Sequence, residues 1–284
     1  MLRFFVKTKL STLSVAALAA LSLAACSTAP KTAEPVTTLT PPQVAGTYLV
    51  SATAWVQNAG EYRALAYQAF NTATVAFDKA KRVPGKAKAV VVDLDETMID
   101  NSGFQGGIAK YGIPYNSKNW RKWEQTGKPT AIPGALEFAQ HVVKNGGVVY
   151  YVSNRTQENI EYTKATLIAL GFPGVSNDTV LLKGSVSTKE PRFAQAQAKS
   201  NVVVYVGDNL RDFPGAGQYT TTETRNAWVD ANKANFGSKY IVIPNPMYGN
   251  WLSSLATDFY KNSLAQQNKL VLEAIEAWDL SNYQ

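Results

Sequence analysis

Apolar positions change their period along the chain, and each change marks a different kind of element. From Gln43 to Arg82 apolar and aromatic residues recur at helical spacing with no proline, which predicts one or two helices. At Ala87–Leu94 the sequence AKAVVVDL breaks that period with a short β-branched run, the pattern of a strand buried on both faces. GVVYYV at 147–152 and NVVVYV at 201–206 repeat it, and KYIVI at 239–243 repeats it more weakly. Helical spacing returns at 134–144, at 156–170 with a stop at Gly171, and at 251–278. Strands alternating with helices predict an α/β fold: a doubly wound parallel sheet with right-handed crossovers, and a smaller helical lobe from the N- and C-terminal segments. Such sheets take ligands at the carboxyl ends of their strands, and there the polar residues of this chain gather.

The start of the chain reads differently. MLRFFVKTKL carries Arg3, Lys7 and Lys9 without an acid, and the apolar run after it is shorter than the ~20 residues of a membrane-spanning helix. That order predicts a secretory leader over residues 1–25. It closes on Leu23-Ala24-Ala25-Cys26, which resembles a bacterial lipoprotein signal box and implies lipidation of Cys26. Ser27 in place of Asp then implies the outer membrane. Residues 26–42, rich in Thr, Pro and Ala, suit a flexible tether. The remaining divisions are a helical segment over 43–84, an α/β core over 85–250 and a C-terminal helical segment over 251–284.

Composition removes several chemistries. Cys26 is the only cysteine, so an internal disulfide and a thiolate zinc site are excluded. His141, the only histidine, lies in the helical pattern EFAQHVVKNGG and reads as structural, which leaves histidine phosphatase and Ser-His-Asp schemes without parts. The net charge of +7 includes the three basic leader residues and is spread without a dense basic tract, so no nucleic-acid polymer is implied as a partner.

The chemistry collects at predicted strand ends. Asp93-Leu94-Asp95-Glu96-Thr97 follows the first, with Asp100 close behind; carboxylates crowded beside a buried strand need compensation, most simply a divalent cation. Gly207-Asp208-Asn209-Leu210-Arg211-Asp212 follows the 201–206 run. In a parallel sheet both ends open on one edge, so Asp93 and Asp208 could share one hard ion. Ser153-Asn154-Arg155 ends the 147–152 run, and Lys189 stands in the polar stretch GSVSTKEPRF. Singly, each has a plain structural explanation: the serine caps a turn, Lys189 lies at the surface, and Arg155 pairs with Glu158 or another acid.

In order, these pieces resemble the haloacid dehalogenase superfamily of phosphotransferases. More narrowly, VVVDLDETMIDNSGF and VYVGDNLRDF resemble the two signatures of the class C acid phosphatases, the lipoprotein e family. The likeness runs through NWRKWE, PGALEF, YVSNRT, TVLLKG and IPNPMYGNW, roughly Lys86 to Trp251. Phe104 stands where that first signature usually ends in Tyr, which removes one hydroxyl at the mouth.

The resemblance implies roles. Asp93 is the nucleophile, forming an aspartyl-phosphate, and Asp95 the general acid and then base. Magnesium is held by the Asp93 and Asp208 carboxylates and the Asp95 carbonyl, with Asp212 orienting a bound water. Ser153, Asn154 and Lys189 bind phosphate, and Trp120, Tyr248, Asp100 and Phe104 form the substrate pocket. The implied substrate is a small phosphomonoester, a nucleoside monophosphate or nicotinamide mononucleotide, handled at the cell surface by a lipid-anchored protein, with a homodimer as the family's assembly. Two other readings stay open: a phosphotransferase passing phosphate to an alcohol, and a surface adhesin or haem-binding lipoprotein on the same fold.

Overall fold

The computed structural model describes residues 47–278, and at its centre lies the strand KAVVV. The elements run α1 (Thr47–Asn58), α2 (Gly60–Lys79), β1 (Lys88–Val92), β2 (Ile99–Asp100), α3 (Ser102–Tyr111), α4 (Ser117–Thr126), β3 (Thr130–Ala131), α5 (Ala135–Lys144) and β4 (Val148–Thr156). They continue with α6 (Ile160–Ala169), β5 (Val180–Lys183), α7 (Glu190–Lys199), β6 (Asn201–Gly207), α8 (Thr222–Ala231), β7 (Tyr240–Val242), α9 (Asn250–Ser253) and α10 (Leu264–Glu273). Five strands form a parallel sheet in the order β5-β4-β1-β6-β7, and β2 pairs with β3 as a small antiparallel flap.

Both faces of the sheet are covered, which is why β1 is buried along its whole length. The period of two sorts its side chains: Val90 and Val92 pack with Phe70, Phe77 and Phe138 from α2 and α5, while Ala89 and Val91 pack with Phe193 and Trp228 from α7 and α8. The chain leaves β1 in one direction to build β4 and β5, then returns to build β6 and β7. The strand order therefore reverses between β1 and β6, and a crevice opens at their carboxyl ends.

The predicted α/β fold is the one observed, with local corrections. VLLK at 180–183 forms the edge strand β5, too short to register as a separate run in the sequence. The helix expected from Thr156 begins at Ile160, because β4 continues to Thr156 and a 3-10 turn follows. The helical pattern over 251–278 is not one helix. It breaks at Asp258, whose φ is 57°, and restarts where Ser263 accepts the Gln266 N–H as a cap. Helices α3, α4, α7 and α8 were not expected; α7 tolerates Pro191 because it lies in the first turn.

The terminal helices meet. The Tyr48 hydroxyl donates to Gln267 Oε1 at 2.9 Å, and the Tyr48 ring stands edge-on to Phe259. Cys26, with the leader and tether, lies outside the described residues. Among the described residues no helix is long and apolar enough to cross a membrane.

Candidate active site at the carboxyl edge of the sheet

Immediately after β1 the chain places Asp93 and Asp95 toward one cavity of about 460 Å³, while Leu94 between them turns into the core. Asp208 follows β6 across the crevice, and Asp93 N–H donates to Val206 O at 2.9 Å, which sets the two strand ends side by side. Carboxylate oxygens of Asp93, Asp208 and Asp212 lie within 4.8 Å of one another. Asp212, expected to orient a bound water, thus reaches the same cluster as the other two. It can do so because residue 207 is glycine: a Cβ there would fall 2.2 Å from Asp212 Cβ and 2.4 Å from its Oδ2.

Lys189 is no surface lysine. It is buried, pairs with Asp93, and lies 2.7 Å from Asp212 Oδ1. Burial works against its charge, but Asp212 and Asp93 together outweigh that and raise its pKa. Burial pushes the Asp93 carboxyl up to about 7; Lys189 opposes this, and the Asp212 and Asp95 charges add to it. Asp208 is likewise held well above the usual carboxylate range, by burial first and by Asp212 and Asp93 after it. Its oxygens accept from Asn245 Nδ2 at 2.8 Å and Thr97 Oγ1 at 3.2 Å.

Asp95 is gripped from another side. Arg155, at the end of β4, donates to it from Nη2 and Nε, Asn101 Nδ2 donates at 3.0 Å, and the Ser153 hydroxyl at 3.3 Å. The acid that Arg155 meets is therefore Asp95, with Glu124 at 3.9 Å, and not Glu158. Asn154 lines the cavity but its Oδ1 accepts from Arg192, which also donates to the carbonyls of Ser153 and Thr188 and so ties the β4 end to the Lys189 loop.

Trp120, Tyr115, Tyr248 and Tyr48 line the cavity walls. Phe104 and Asp100 are not among the lining residues. Phe104 backs Trp120 edge-on with ring centroids 5.0 Å apart, and Asp100 accepts the Ser102 N–H at 2.7 Å at the start of α3. His141 is likewise absent from the lining and pairs with Asp78 at 2.8 Å. Glu96, buried with a φ of 58°, accepts from the Asn101 N–H and the Tyr248 hydroxyl, so it fixes one aromatic wall from below.

The model of the haloacid dehalogenase (HAD) superfamily, subfamily IIIB (acid phosphatase), matches residues 8–251. The chain belongs to this acid phosphatase family. The class C acid phosphatase of Bacillus anthracis is 34% identical and superimposes with a TM-score of 0.77 over 84% of this chain and all of that one. A second structure of that protein, with tungstate bound, matches equally. Acid phosphatase 1 of Solanum lycopersicum is 23% identical over 159 residues, which span 56% of this chain and 57% of that one.

In this family member, sequence reasoning missed Arg192, Asn245, Glu124, Tyr48 and the role of Asn101. Asn101 and Asn245 stood inside the quoted motifs and could have been found there. Glu124 and Arg192 also stood inside quoted stretches, NWRKWE and GSVSTKEPRF, whereas Tyr48 carries no local signal, because only folding brings α1 to the cavity.

Proposed function

We propose that this acid phosphatase hydrolyses small phosphomonoesters through an aspartyl-phosphate on Asp93, with magnesium as its cation. The observation that carries the reading is the convergence of Asp93, Asp95, Asp208, Asp212 and Lys189 on one cavity. Three carboxylates against one ammonium leave two negative charges among hard oxygen donors, which suits one divalent cation. Bound among Asp93, Asp208 and Asp212, with the Asp95 carbonyl as a further donor, that cation would neutralise phosphate oxygens.

The chain's own residues account for the bonds. An Asp93 oxygen attacks phosphorus as the ester P–O bond breaks, and Asp95 gives its proton to the departing alkoxide. Asp95 then takes a proton from the water that attacks phosphorus, the bond to Asp93 breaks, and inorganic phosphate leaves. Lys189 balances the charge of Asp93 and phosphate, and Ser153 and Asn154 offer polar groups to phosphate oxygens. The Bacillus anthracis relative binds tungstate, a tetrahedral oxyanion like phosphate, which supports an oxyanion ligand for this fold.

Aromatic walls favour an alcohol part with a planar ring, and a nucleoside 5′-monophosphate or nicotinamide mononucleotide fits that chemistry. Stacking is worth ~1–3 kcal/mol per base where single strands are bound. With Cys26 lipidated, the enzyme would work tethered to the outer membrane.

The test is a phosphatase assay on the soluble form lacking residues 1–26, first with chelator and then with magnesium restored. Turnover should vanish and return, prefer a nucleoside monophosphate over a sugar phosphate, and be absent in Asp93→Asn. Undiminished turnover in Asp93→Asn would defeat the nucleophile assignment, and preference for the sugar would defeat the aromatic wall. Radioactive fatty acid incorporated into the full chain but not into Cys26→Ser would establish the anchor.

A further inference from the structure

Among the described residues two neighbouring arginines, Arg211 in the cavity lining and Arg225 behind it, have no counter-ion. Arg211, in the 3-10 turn after β6, lines the cavity together with Asn209, Gly249 and Asn250, and its Nε is a buried donor without a hydrogen-bond partner. Arg225, on the buried face of α8, is 6% exposed, and its Nη1 is orphaned in the same way. Among the described residues neither guanidinium has an ion-pair partner, although Asp208 and Asp212 flank Arg211 in sequence. Those two acids are committed elsewhere, Asp212 to Lys189 and Asp208 to Asn245.

The fold brings the arginines toward one corner. The first turn of α8 is tied to the end of α9 by Thr222 Oγ1 and Ser254 Oγ at 3.2 Å, and α9 opens at the cavity wall with Asn250. Arg225 stands one turn further along α8, facing inward. Burial works against its charge, and the neighbouring charge of Arg211 adds to that. A structural arginine at this depth normally has oxygen partners, as Arg155 and Arg192 do here. An uncompensated pair with idle donors costs stability in the empty protein and is compensated when an anion arrives.

We propose that Arg211, backed by Arg225, forms a second anion site that takes a second phosphate carried on the alcohol part of the ester. The assignment rests on the phosphatase reading for the first phosphate. Two cations match a phosphate dianion better than a carboxylate, and the guanidinium fork suits its oxygens. The preferred substrates of this site would thus be bisphosphates, one phosphate at Asp93 and the other at Arg211.

Binding of α,ω-alkane bisphosphonates, compared with alkyl monophosphonates of the same chain length, tests this without turnover. The titration is calorimetric, uses the full chain in detergent with magnesium present, and scans the spacer length. At one spacer length the bisphosphonate should bind about tenfold or more tighter, the scale of one set of charge-assisted hydrogen bonds. In Arg211→Ala that ratio should fall to about two, the statistical advantage of two equivalent ends, and Arg225→Gln should lower it in part. Because the readout is a ratio, a general loss of fold or affinity cancels. A ratio of about two at every spacer length in the unaltered chain, or a high ratio that survives Arg211→Ala, overturns the second site. Hydrolysis of a simple alkyl phosphate, measured on the same preparation, reports separately on the phosphatase reading.

Discussion

Arg155 holds Asp95 from two nitrogens, with Nη2 2.7 Å and Nε 3.0 Å from the same carboxylate oxygen. A planar fork of this kind fixes the direction of the carboxyl group. Asn101 completes the grip and is itself held through its Oδ1 by Trp123 Nε1 at 2.9 Å. The helix that carries Trp120 in the cavity wall thus also carries, through Trp123, a support of Asp95.

Arg155→Lys keeps the charge and loses the fork. The expected outcome is a fall in kcat of about tenfold or more on alkyl phosphates, with KM little changed and a smaller loss on activated aryl phosphates. Steady-state kinetics on the two substrate types checks it; an equal loss on both would mean that Arg155 does not serve Asp95 as a proton donor.

Buried carboxyls make the cation-free protein sensitive to pH. Asp93 is raised from 3.8 to about 7, so its neutral form is the one the fold favours, and Asp208 and Glu96 are raised in the same direction. A raised acid contributes stability that is full below its unfolded value and is lost as pH rises through the folded one. The chelated protein should therefore melt at a lower temperature near about pH 8 than near about pH 5, and magnesium should raise Tm more at the higher pH. Calorimetric melts in chelator that are flat or rising between those values would contradict this.

Gly207→Ala places a methyl against the Asp212 carboxylate, with too little room for both. The nearest atom is Asp212 Cβ, at 2.2 Å, which no side-chain rotation can move, so the turn carrying Asp212 must shift away from Lys189 and the cluster. We expect kcat to fall by about a hundredfold, in the range seen when supports of a metal ligand are removed, together with a lower Tm from the displaced turn. Kinetics and melting on the same preparation decide it, and normal kcat would show that Asp212 is dispensable.

Lys88 tests stability away from the chemistry. Buried at the start of β1, its ammonium donates to Phe77 O at 2.6 Å and lies 4.3 Å from the centre of the Phe77 ring, near the end of α2. Lys88→Met keeps the stem and removes the charge, and should cost ~1–3 kcal/mol in urea unfolding while leaving kcat unchanged. No change in the unfolding midpoint would remove the helix-end role.

The sequence by itself determined the layered α/β architecture, because β-branched runs such as AVVV and NVVVYV must be buried on both faces and the helical segments alternating with them supply the two covering layers. It also placed Asp93, Asp95, Ser153 and Asp208, since the carboxyl ends of parallel strands share one edge of the sheet. Partnerships were not legible there. Arg155 chose Asp95 over the nearer-in-sequence Glu158, Lys189 took Asp212 as well as the expected Asp93, and Asp212 closed on the cluster through the space that Gly207 leaves. Each of those choices depends on distances between segments tens of residues apart, which local period and propensity do not encode. Which charges neutralise one another, and which pair of arginines lacks an ion-pair partner among the described residues, was decided only when the sheet brought those segments together.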